Sequence, residues 1–295
     1  MGEYLSTPNR EKKSEEAENG KLRYGLSAMQ GWRRSMEDAH IANLDIGDGV
    51  AIFGVFDGHG GGEVSQYVAK HFIKELKKLE SFKRKDYRLS LQECFMRMDT
   101  VMLTKEGKKE LAKIAAAGRA SGAGDSEDMY GMGDVMHAGC TANVVMITKA
   151  EILCANAGDS RASEKRRIER ANGFVEDSRV NGMLALSRSM GDFEYKTNTI
   201  MKAEDQVITA FPEISIEKIT ADCDFIVCAC DGIWDCLTSQ EAVNQVIEKM
   251  KKKKCKDSLA CLVEELLDQI LAQDVATSQG IGCDNMSCIV IEFKK

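Results

Sequence analysis

AIFGVFDGHGGGE, residues 51–63, is an apolar run rich in strand-forming residues that ends at Asp57 beside glycines. Three other stretches share this pattern: EILCANAGDSRA around Asp159, DFIVCACDGIWD around Asp231 and GCDNMSCIVIEF around Asp284. Taken singly, each aspartate is more often turn chemistry at the end of a strand. Together they place like charges at the ends of buried strands, where carboxylates repel one another and resist desolvation. The economical explanation is a cluster of cations that they coordinate jointly.

The composition describes an ordinary globular chain. It has 295 residues, 43% hydrophobic and 29% charged, enough for one large domain or two modest ones. No apolar run approaches the length of a membrane span. The net charge of −7 and the pI near 5.4 give no basic footprint, so we expect no nucleic-acid partner. Eleven scattered cysteines with no C-x-x-C pair favour a reduced intracellular chain over a disulfide scaffold or a thiolate zinc site.

Residues 1–20 are polar, and we expect a flexible segment ahead of one domain over residues 21–295. Met1 and Gly2 followed by Ser6 fit the pattern for myristoylation of Gly2, although chance in a short tail explains it equally well. One acyl chain anchors only weakly, and nearby glutamates oppose help from basic residues. We therefore expect a cytoplasmic monomer, in which any membrane contact through an acylated Gly2 would be peripheral; a nuclear location is also open.

The order of periodic segments predicts the fold class. Strand-like apolar runs cover residues 51–56, 142–147, 151–155, 225–230 and 287–293, and helical spacing covers residues 64–76, 89–103, 238 to about 251 and 259–271. Residues 112–134, rich in small and polar side chains, have no periodicity and predict a solvated loop insertion. Strands and helices each come in consecutive groups, which favours an α+β fold with layered, mainly antiparallel sheets.

The types of candidate ligand select the metal. Carboxylate oxygens favour hard cations such as Mg²⁺ or Mn²⁺, whereas four scattered histidines are too few for zinc. Two adjacent divalent ions suit phosphoryl chemistry, because they lower the pKa of a shared water and offset charge on phosphate oxygens. Glu37 and Asp38, in GWRRSMEDAH, are further acidic candidates, although surface charge paired with Arg33 is the simpler explanation for them alone.

Seven stretches in order carry a specific resemblance: GWRRSMEDAH, VFDGHGG, GCTANV, NAGDSRA, RVNGMLALSRSMGDFEYK, CACDGIWD and GCDNMS. The series resembles the motifs of metal-dependent protein phosphatases of type 2C and spans about residues 24–293. The resemblance implies a four-layer αββα sandwich, in which two mainly antiparallel sheets are flanked by pairs of helices. It also implies hydrolysis of phosphoserine and phosphothreonine in phosphorylated protein substrates, without a covalent phosphoenzyme.

Carried over motif by motif, the resemblance implies a site with two ions of Mg²⁺ or Mn²⁺. Glu37, Asp57 and the Gly58 carbonyl would hold one ion. Asp57, Asp231 and Asp284 would hold the other, so that Asp57 bridges the two.

The same resemblance assigns the residues around these ligands. Arg33 would grip the phosphate with its planar fork, which a lysine could not reproduce. His59 would donate a proton to the departing Ser or Thr oxygen; the alternative is a turn residue hydrogen-bonded to a ligand carboxylate. Asp192, in the SRSMGD stretch, receives a structural role by default. Supporting positions are Asp38, acting through water, Asp159, in an optional third metal site, and Asp235, without an assigned role.

The chain departs from the family pattern between Ala162 and Ser163. There the family continues through a further hairpin before the next helix, and loss of a hairpin exposes strand edges. Either the deletion is real, with the insertion at 112–134 compensating in part, or the molecule has residues that this sequence omits. We expect an active phosphatase; the alternative is a pseudophosphatase that binds phosphoproteins or scaffolds partners without turnover.

Overall fold

The structure, a computed structural model, describes residues 4–121, 137–158, 162–252, 255 and 257–295. Gly2 and Asp159, the predicted acylation site and optional metal ligand, lie outside these ranges. Among the described helices, none combines the length and the apolar character that crossing a bilayer requires.

Strands and helices follow one another in consecutive groups. The strands are β1 Tyr4–Glu18, β2 Leu22–Arg33, β3 Ala39–Asn43, β4 Ala51–Phe56, β5 Gly58–His59, β6 Gly139–Cys140, β7 Ala142–Ile147, β8 Glu151–Ala157, β9 Val175–Glu176, β10 Arg179–Val180, β11 Met190–Gly191, β12 Glu213–Lys218, β13 Phe225–Ala229 and β14 Met286–Phe293. The helices are α1 Glu63–Lys78, α2 Glu80–Lys83, α3 Tyr87–Met102, α4 Lys105–Ser121, α5 Ala162–Arg170, α6 Asp231–Trp234, α7 Ser239–Met250, α8 Leu259–Ile270 and α9 Val275–Ser278.

Two larger sheets carry most of the described strands. One has the order β1-β2-β14-β13 with antiparallel pairing throughout, and the other has the order β12-β8-β7-β4-β3. Small sheets of order β11-β6-β5 and β10-β9 account for the other described strands. The apolar runs predicted as strands form β4, β7, β8, β13 and β14, and the helical runs form α1, α3, α7 and α8. The predicted α+β class, with mainly antiparallel sheets, is confirmed.

The chain divides into two compact units. Unit 1 comprises residues 1–55, 144–152 and 217–295, and unit 2 comprises residues 56–143 and 153–216. In unit 1, fully buried Leu262 and Leu266 of α8 share a hydrophobic cluster with Val290 of β14. Burial of each such side chain stabilises the fold by about 1.5–3 kcal/mol relative to exposure. In unit 2, Phe72 of α1 meets Phe95 of α3 edge to face, with ring centres 5.5 Å apart.

The N-terminal segment corrects a prediction, because residues 4–18 form strand β1 rather than a flexible lead-in. β1 pairs antiparallel with β2, and Tyr4 lies opposite Arg33. The polar composition was misleading because β1 is an edge strand with mostly exposed side chains, and backbone bonds to β2 supply its order. The Lys12 ammonium also lies 2.7 Å from the Asp268 carboxylate of α8.

The predicted loop insertion at 112–134 needs a second correction. Residues 112–121 belong to helix α4. Half of these ten residues are alanines, which have the highest helix propensity, so the lack of hydrophobic periodicity was the wrong criterion. Residues 122–134 lie outside the described parts of the chain.

Helix α5 begins at Ala162, where the sequence lacks the family hairpin. Glu164 of this helix pairs with Arg167 at 2.7 Å and with Arg188 at 2.8 Å, and Arg167 donates to the Ser187 carbonyl at 2.6 Å. Burial acts to raise the pKa of Glu164, but hydrogen bonds from the two guanidinium groups bring it below its ordinary value. Strand β8, which precedes the junction, lies between β12 and β7, so both of its edges have neighbours.

Candidate active site

Unit 1 places a basic side chain beside an acidic one at the end of β2. Arg33 Nη2 lies 2.5 Å from Asp284 Oδ2, and 45% of the Arg33 side chain is exposed. Burial acts to lower the pKa of Arg33, but the Asp284 carboxylate more than offsets this, so the pKa lies above its ordinary value. A charged, partly exposed guanidinium fork is suited to binding two phosphate oxygens.

Asn285 organises the loop that follows β2. Its buried side chain accepts the backbone N–H of Glu37 at 2.9 Å and donates to the carbonyls of Gln30 at 2.8 Å and Ser35 at 3.0 Å. Ser35 Oγ donates to the Glu37 carboxylate at 2.7 Å. Sequence reasoning missed Asn285. The available signal was a polar residue just ahead of an apolar strand, because a buried amide needs partners.

Burial strongly affects Asp38 in unit 1. It is 7% exposed, and among the described residues neither carboxylate oxygen has a hydrogen-bond partner of normal geometry. Burial raises the pKa of Asp38 to about 7; neighbouring Ser287 and Cys230 act in the opposite direction, and the charges of Asp231 and Asp284 raise it further. A buried carboxyl among acidic neighbours is costly unless a cation lies with them.

Asp231 and Asp235 lie one helical turn apart after β13. Asp231 is the first residue of α6, and the Asp235 N–H donates to its carbonyl at 2.7 Å. Both residues are exposed. Gly232 lets this turn approach β14 closely, since a Cβ there would lie 2.0 Å from the Asn285 carbonyl oxygen. The close approach explains why glycine follows the predicted ligand Asp231.

The acidic side chains of unit 1 fit a hard divalent cation. Asp38, Asp231 and Asp284 interact electrostatically, and all offer carboxylate oxygens. The buried Asp38 carboxyl, which has no hydrogen-bond partner of normal geometry among the described residues, decides the fit, because a cation nearby would reverse the rise in its pKa. Cys230 Sγ lies within 4.8 Å of an Asp38 carboxylate oxygen, but hard cations prefer oxygen, so we treat this cysteine as a core neighbour.

Unit 2 holds the other predicted ligands at the start of a small sheet. Asp57 follows β4, and its carbonyl accepts the Thr141 N–H at 2.9 Å. Gly58 of β5 pairs with Cys140 of β6. Asp57 and Gly58 are both half-buried. Backbone pairing on both residues therefore holds this turn in place.

His59 ends β5 and contacts an acid that is remote in sequence. His59 Nε2 lies 2.8 Å from Asp192 Oδ2, and the Asp192 side chain is 2% exposed against 27% for the imidazole. Sequence reasoning assigned Asp192 only a structural role. The two residues are 133 positions apart, and no spacing pattern connects them.

Comparisons with known proteins identify the family. The profile described as protein phosphatase 2C matches residues 22–163 and 162–278. Probable protein phosphatase 2C 3 of Paramecium tetraurelia is 43% identical over 316 residues, and the match covers all of both chains. The chain belongs to the protein phosphatase 2C family.

Two more similar proteins agree with this assignment. Probable protein phosphatase 2C 21 of Arabidopsis thaliana is 40% identical over 336 residues, which cover 100% of this chain and 93% of that relative. A crystal structure of a phosphatase from Toxoplasma gondii has a TM-score of 0.70 at 21% identity and covers 96% of each chain, which shows the shared fold. The predicted phosphatase 2C fold is confirmed, and the protein is a metal-dependent serine/threonine phosphatase.

The comparisons also bear on the junction after Ala162. The two segments of the protein phosphatase 2C profile meet at residues 162–163. The match to the Paramecium relative extends over 316 residues, 21 more than the 295 residues of this chain. A hairpin missing between Ala162 and Ser163 would produce both observations.

Proposed function

We propose that this phosphatase 2C protein hydrolyses phosphoserine and phosphothreonine esters in proteins at a centre of two Mg²⁺ or Mn²⁺ ions. The proposal depends above all on Asp38, a buried acid among acids whose oxygens have no hydrogen-bond partner of normal geometry in the described part of the chain. A module that only bound phosphoproteins would need Arg33 but would gain nothing from this costly carboxyl. The comparisons give no support to that alternative.

The proposed metal ligands follow the motif resemblance. Glu37, Asp57 and the Gly58 carbonyl would hold one ion, and Asp57, Asp231 and Asp284 would hold the other. When bound, the ions would lower the pKa of a water and offset charge on the phosphate oxygens. The supporting positions are Asp38, acting through water, Asp159, in an optional third site, and Asp235, without an assigned role.

Two side chains act on the substrate itself. Arg33 donates N–H groups to two phosphate oxygens, and its ion pair with Asp284 restricts the plane of the guanidinium. His59 gives a proton to the Ser or Thr oxygen as the bond from that oxygen to phosphorus breaks. An unprotonated alkoxide is a poor leaving group, so this proton transfer contributes typically about 10²–10⁴-fold in rate.

Turnover of a phosphothreonine peptide by the purified full chain tests the proposal. We expect phosphate release with Mn²⁺, none in EDTA, and recovery when Mn²⁺ is restored. Asp57→Asn should remove the activity, whereas the matched change Asp222→Asn, at an exposed aspartate outside the site, should leave it unchanged. Folded wild-type protein without metal-dependent turnover would refute the activity. Normal turnover by Asp57→Asn would refute the ligand assignment alone.

A further inference from the structure

His59 and Asp192 make contact in space that is left open by a glycine, Gly139. In the small sheet of unit 2, Gly139 pairs with His59 on one side and with Gly191 on the other. A Cβ at Gly139 would lie 2.2 Å from Asp192 Oδ2 and 2.7 Å from His59 Nε2. Only a residue without a side chain leaves room for the two groups to meet there.

Asp192 is held in place from its own side of the contact. Its backbone is left-handed, with φ +49°, a conformation that aspartate tolerates better than most residues. Its N–H donates to the Ala138 carbonyl at 3.0 Å. Its carboxylate accepts a hydrogen bond from Ser189 Oγ in addition to facing His59. The carboxylate therefore has little freedom to turn away from the imidazole.

A buried ion pair fixes the turn that carries Asp192. Lys196 Nζ lies 2.6 Å from Asp99 of α3 and donates to the Ser189 carbonyl at 2.8 Å. The other Asp99 oxygen accepts the Gly191 N–H at 2.9 Å. Burial raises the pKa of Asp99, and the charge of Lys196 opposes that rise. Removing either partner of this largely buried pair would leave the other charge uncompensated, so the pair holds the turn in one geometry.

We propose that Asp192 is a positioning residue for His59, an inference that rests on the proton-donor role proposed above. The carboxylate faces Nε2 and sets the rotation of the ring. Nδ1 is then the nitrogen that delivers the proton to the departing oxygen. An acid that orients a catalytic imidazole in this way acts on proton transfer and leaves phosphate binding unaffected.

Two substrates that differ in their need for a proton provide the test. A phosphothreonine peptide releases an alkoxide, whereas p-nitrophenyl phosphate releases a stable phenolate. With Mn²⁺ present, we expect Asp192→Asn to lower kcat for the peptide by about 10–100-fold relative to the change for the aryl ester. KM for the peptide should stay within about twofold, because Asp192 makes no proposed contact with phosphate. The ratio of the two rates does not depend on the fraction of protein that folds.

Three further variants separate positioning from general damage. In a His59→Gln background, Asp192→Asn should cause no further loss on the peptide, because the two residues act as a unit. Ser189→Ala, a milder change, should lower the peptide rate selectively by about threefold, the size of one weakened hydrogen bond. Asp177→Asn is the matched control, because Asp177 is an exposed aspartate that is also left-handed, with φ +47°. Asp177→Asn should not change the ratio of the peptide rate to the p-nitrophenyl phosphate rate.

The outcomes distinguish this inference from the proposed function. If wild-type protein hydrolyses both substrates and Asp192→Asn lowers both rates equally, the positioning role is wrong and the phosphatase activity stands. The positioning role would also be wrong if the losses from His59→Gln and Asp192→Asn were additive in the double variant. It would be wrong, too, if Asp192→Asn left the ratio of the peptide rate to the aryl-ester rate unchanged. If wild-type protein hydrolyses neither substrate with Mn²⁺, the proposed function fails and the positioning role fails with it.

Discussion

Two regions accommodate buried charge in opposite ways. One is the acidic cluster of unit 1, which comprises Asp38, Asp231 and Asp284, and the other is the pair of His59 and Asp192 in unit 2. Asp192 is 1% exposed, and its carboxylate has two partners, His59 Nε2 and Ser189 Oγ. Asp38 is 7% exposed, has no hydrogen-bond partner of normal geometry among the described residues, and has a pKa raised by burial to about 7. The protein completes one region with its own side chains. In the proposed function, a bound cation would complete the other region.

Removing one acid from the acidic cluster of unit 1 should have the largest effect on activity. Asp231→Asn takes away a proposed ligand and also a charge that raises the pKa of Asp38. We expect kcat for a phosphothreonine peptide to fall by about 10³-fold, equivalent to about 4 kcal/mol. The metal-free protein should at the same time become slightly more stable to urea. A loss of both activity and metal-free stability would indicate a structural role instead, and Asp222→Asn is the control.

The pH dependence of stability tests Asp38 by itself. Its carboxyl titrates near pH 4 in an unfolded chain and at about 7 in the folded protein. Between these values the folded state keeps a proton that the unfolded state has lost, so stability in EDTA falls as pH rises from 4 to 7. The total loss is at most about 4 kcal/mol.

Asp38→Asn removes that titration. We expect the variant to gain stability over wild type at pH 8 and to gain none at pH 4, as measured by urea unfolding in EDTA. Parallel stability profiles for the two proteins would show that Asp38 is already satisfied without metal. Saturating Mn²⁺ should reduce the difference at pH 8, since an ion stabilises the ionised carboxylate of the wild type.

Arg33→Lys tests the phosphate contact with a smaller expected loss. The variant keeps the positive charge and loses the planar fork, so kcat/KM for the peptide should fall by about 10–30-fold, which is the lower part of the about 1.5–3 kcal/mol of a charge-assisted hydrogen bond. The same change at the neighbouring Arg34 is the matched control. Equal effects of the two substitutions would remove the special role of Arg33.

Gly139→Ala tests the contact between His59 and Asp192 and should have the smallest effect on activity. The new methyl group would press on both His59 and Asp192. We expect about a tenfold loss in peptide turnover and little change with p-nitrophenyl phosphate, because the displaced imidazole donates its proton less effectively. A variant with the same substrate ratio as wild type would show that the two side chains need not meet across Gly139.

Local patterns in the sequence predicted much of the fold. Period-two and helical spacing identified β4, β13 and α8, because these elements bury one face or both. These patterns did not predict edge strand β1, because it is ordered by backbone pairing with β2 and not by its own polar side chains. They also did not predict helix α4, because alanine stabilises a helix without marking a hydrophobic face.

In the candidate site too, local sequence patterns predicted some residues and missed others. Its acids were predicted from their positions at strand ends, where unpaired charge is unexpected. Asp192 and Asn285 could not be assigned in this way, because each acts through a tertiary contact with a residue 133 or 248 positions away. Glycines such as Gly139 and Gly232 make those close approaches possible, and in the sequence they resemble ordinary turn residues.

Calorimetric titration of the metal-free protein with Mn²⁺ at neutral pH shows directly whether the acids of unit 1 bind metal. We expect saturable binding by wild type, at least about tenfold weaker binding by Asp284→Asn because a charged ligand is lost, and wild-type binding by Asp192→Asn. Mn²⁺ binding that is absent from the wild type, or unchanged in Asp284→Asn, would contradict the claim that the acidic cluster of unit 1 is a metal centre.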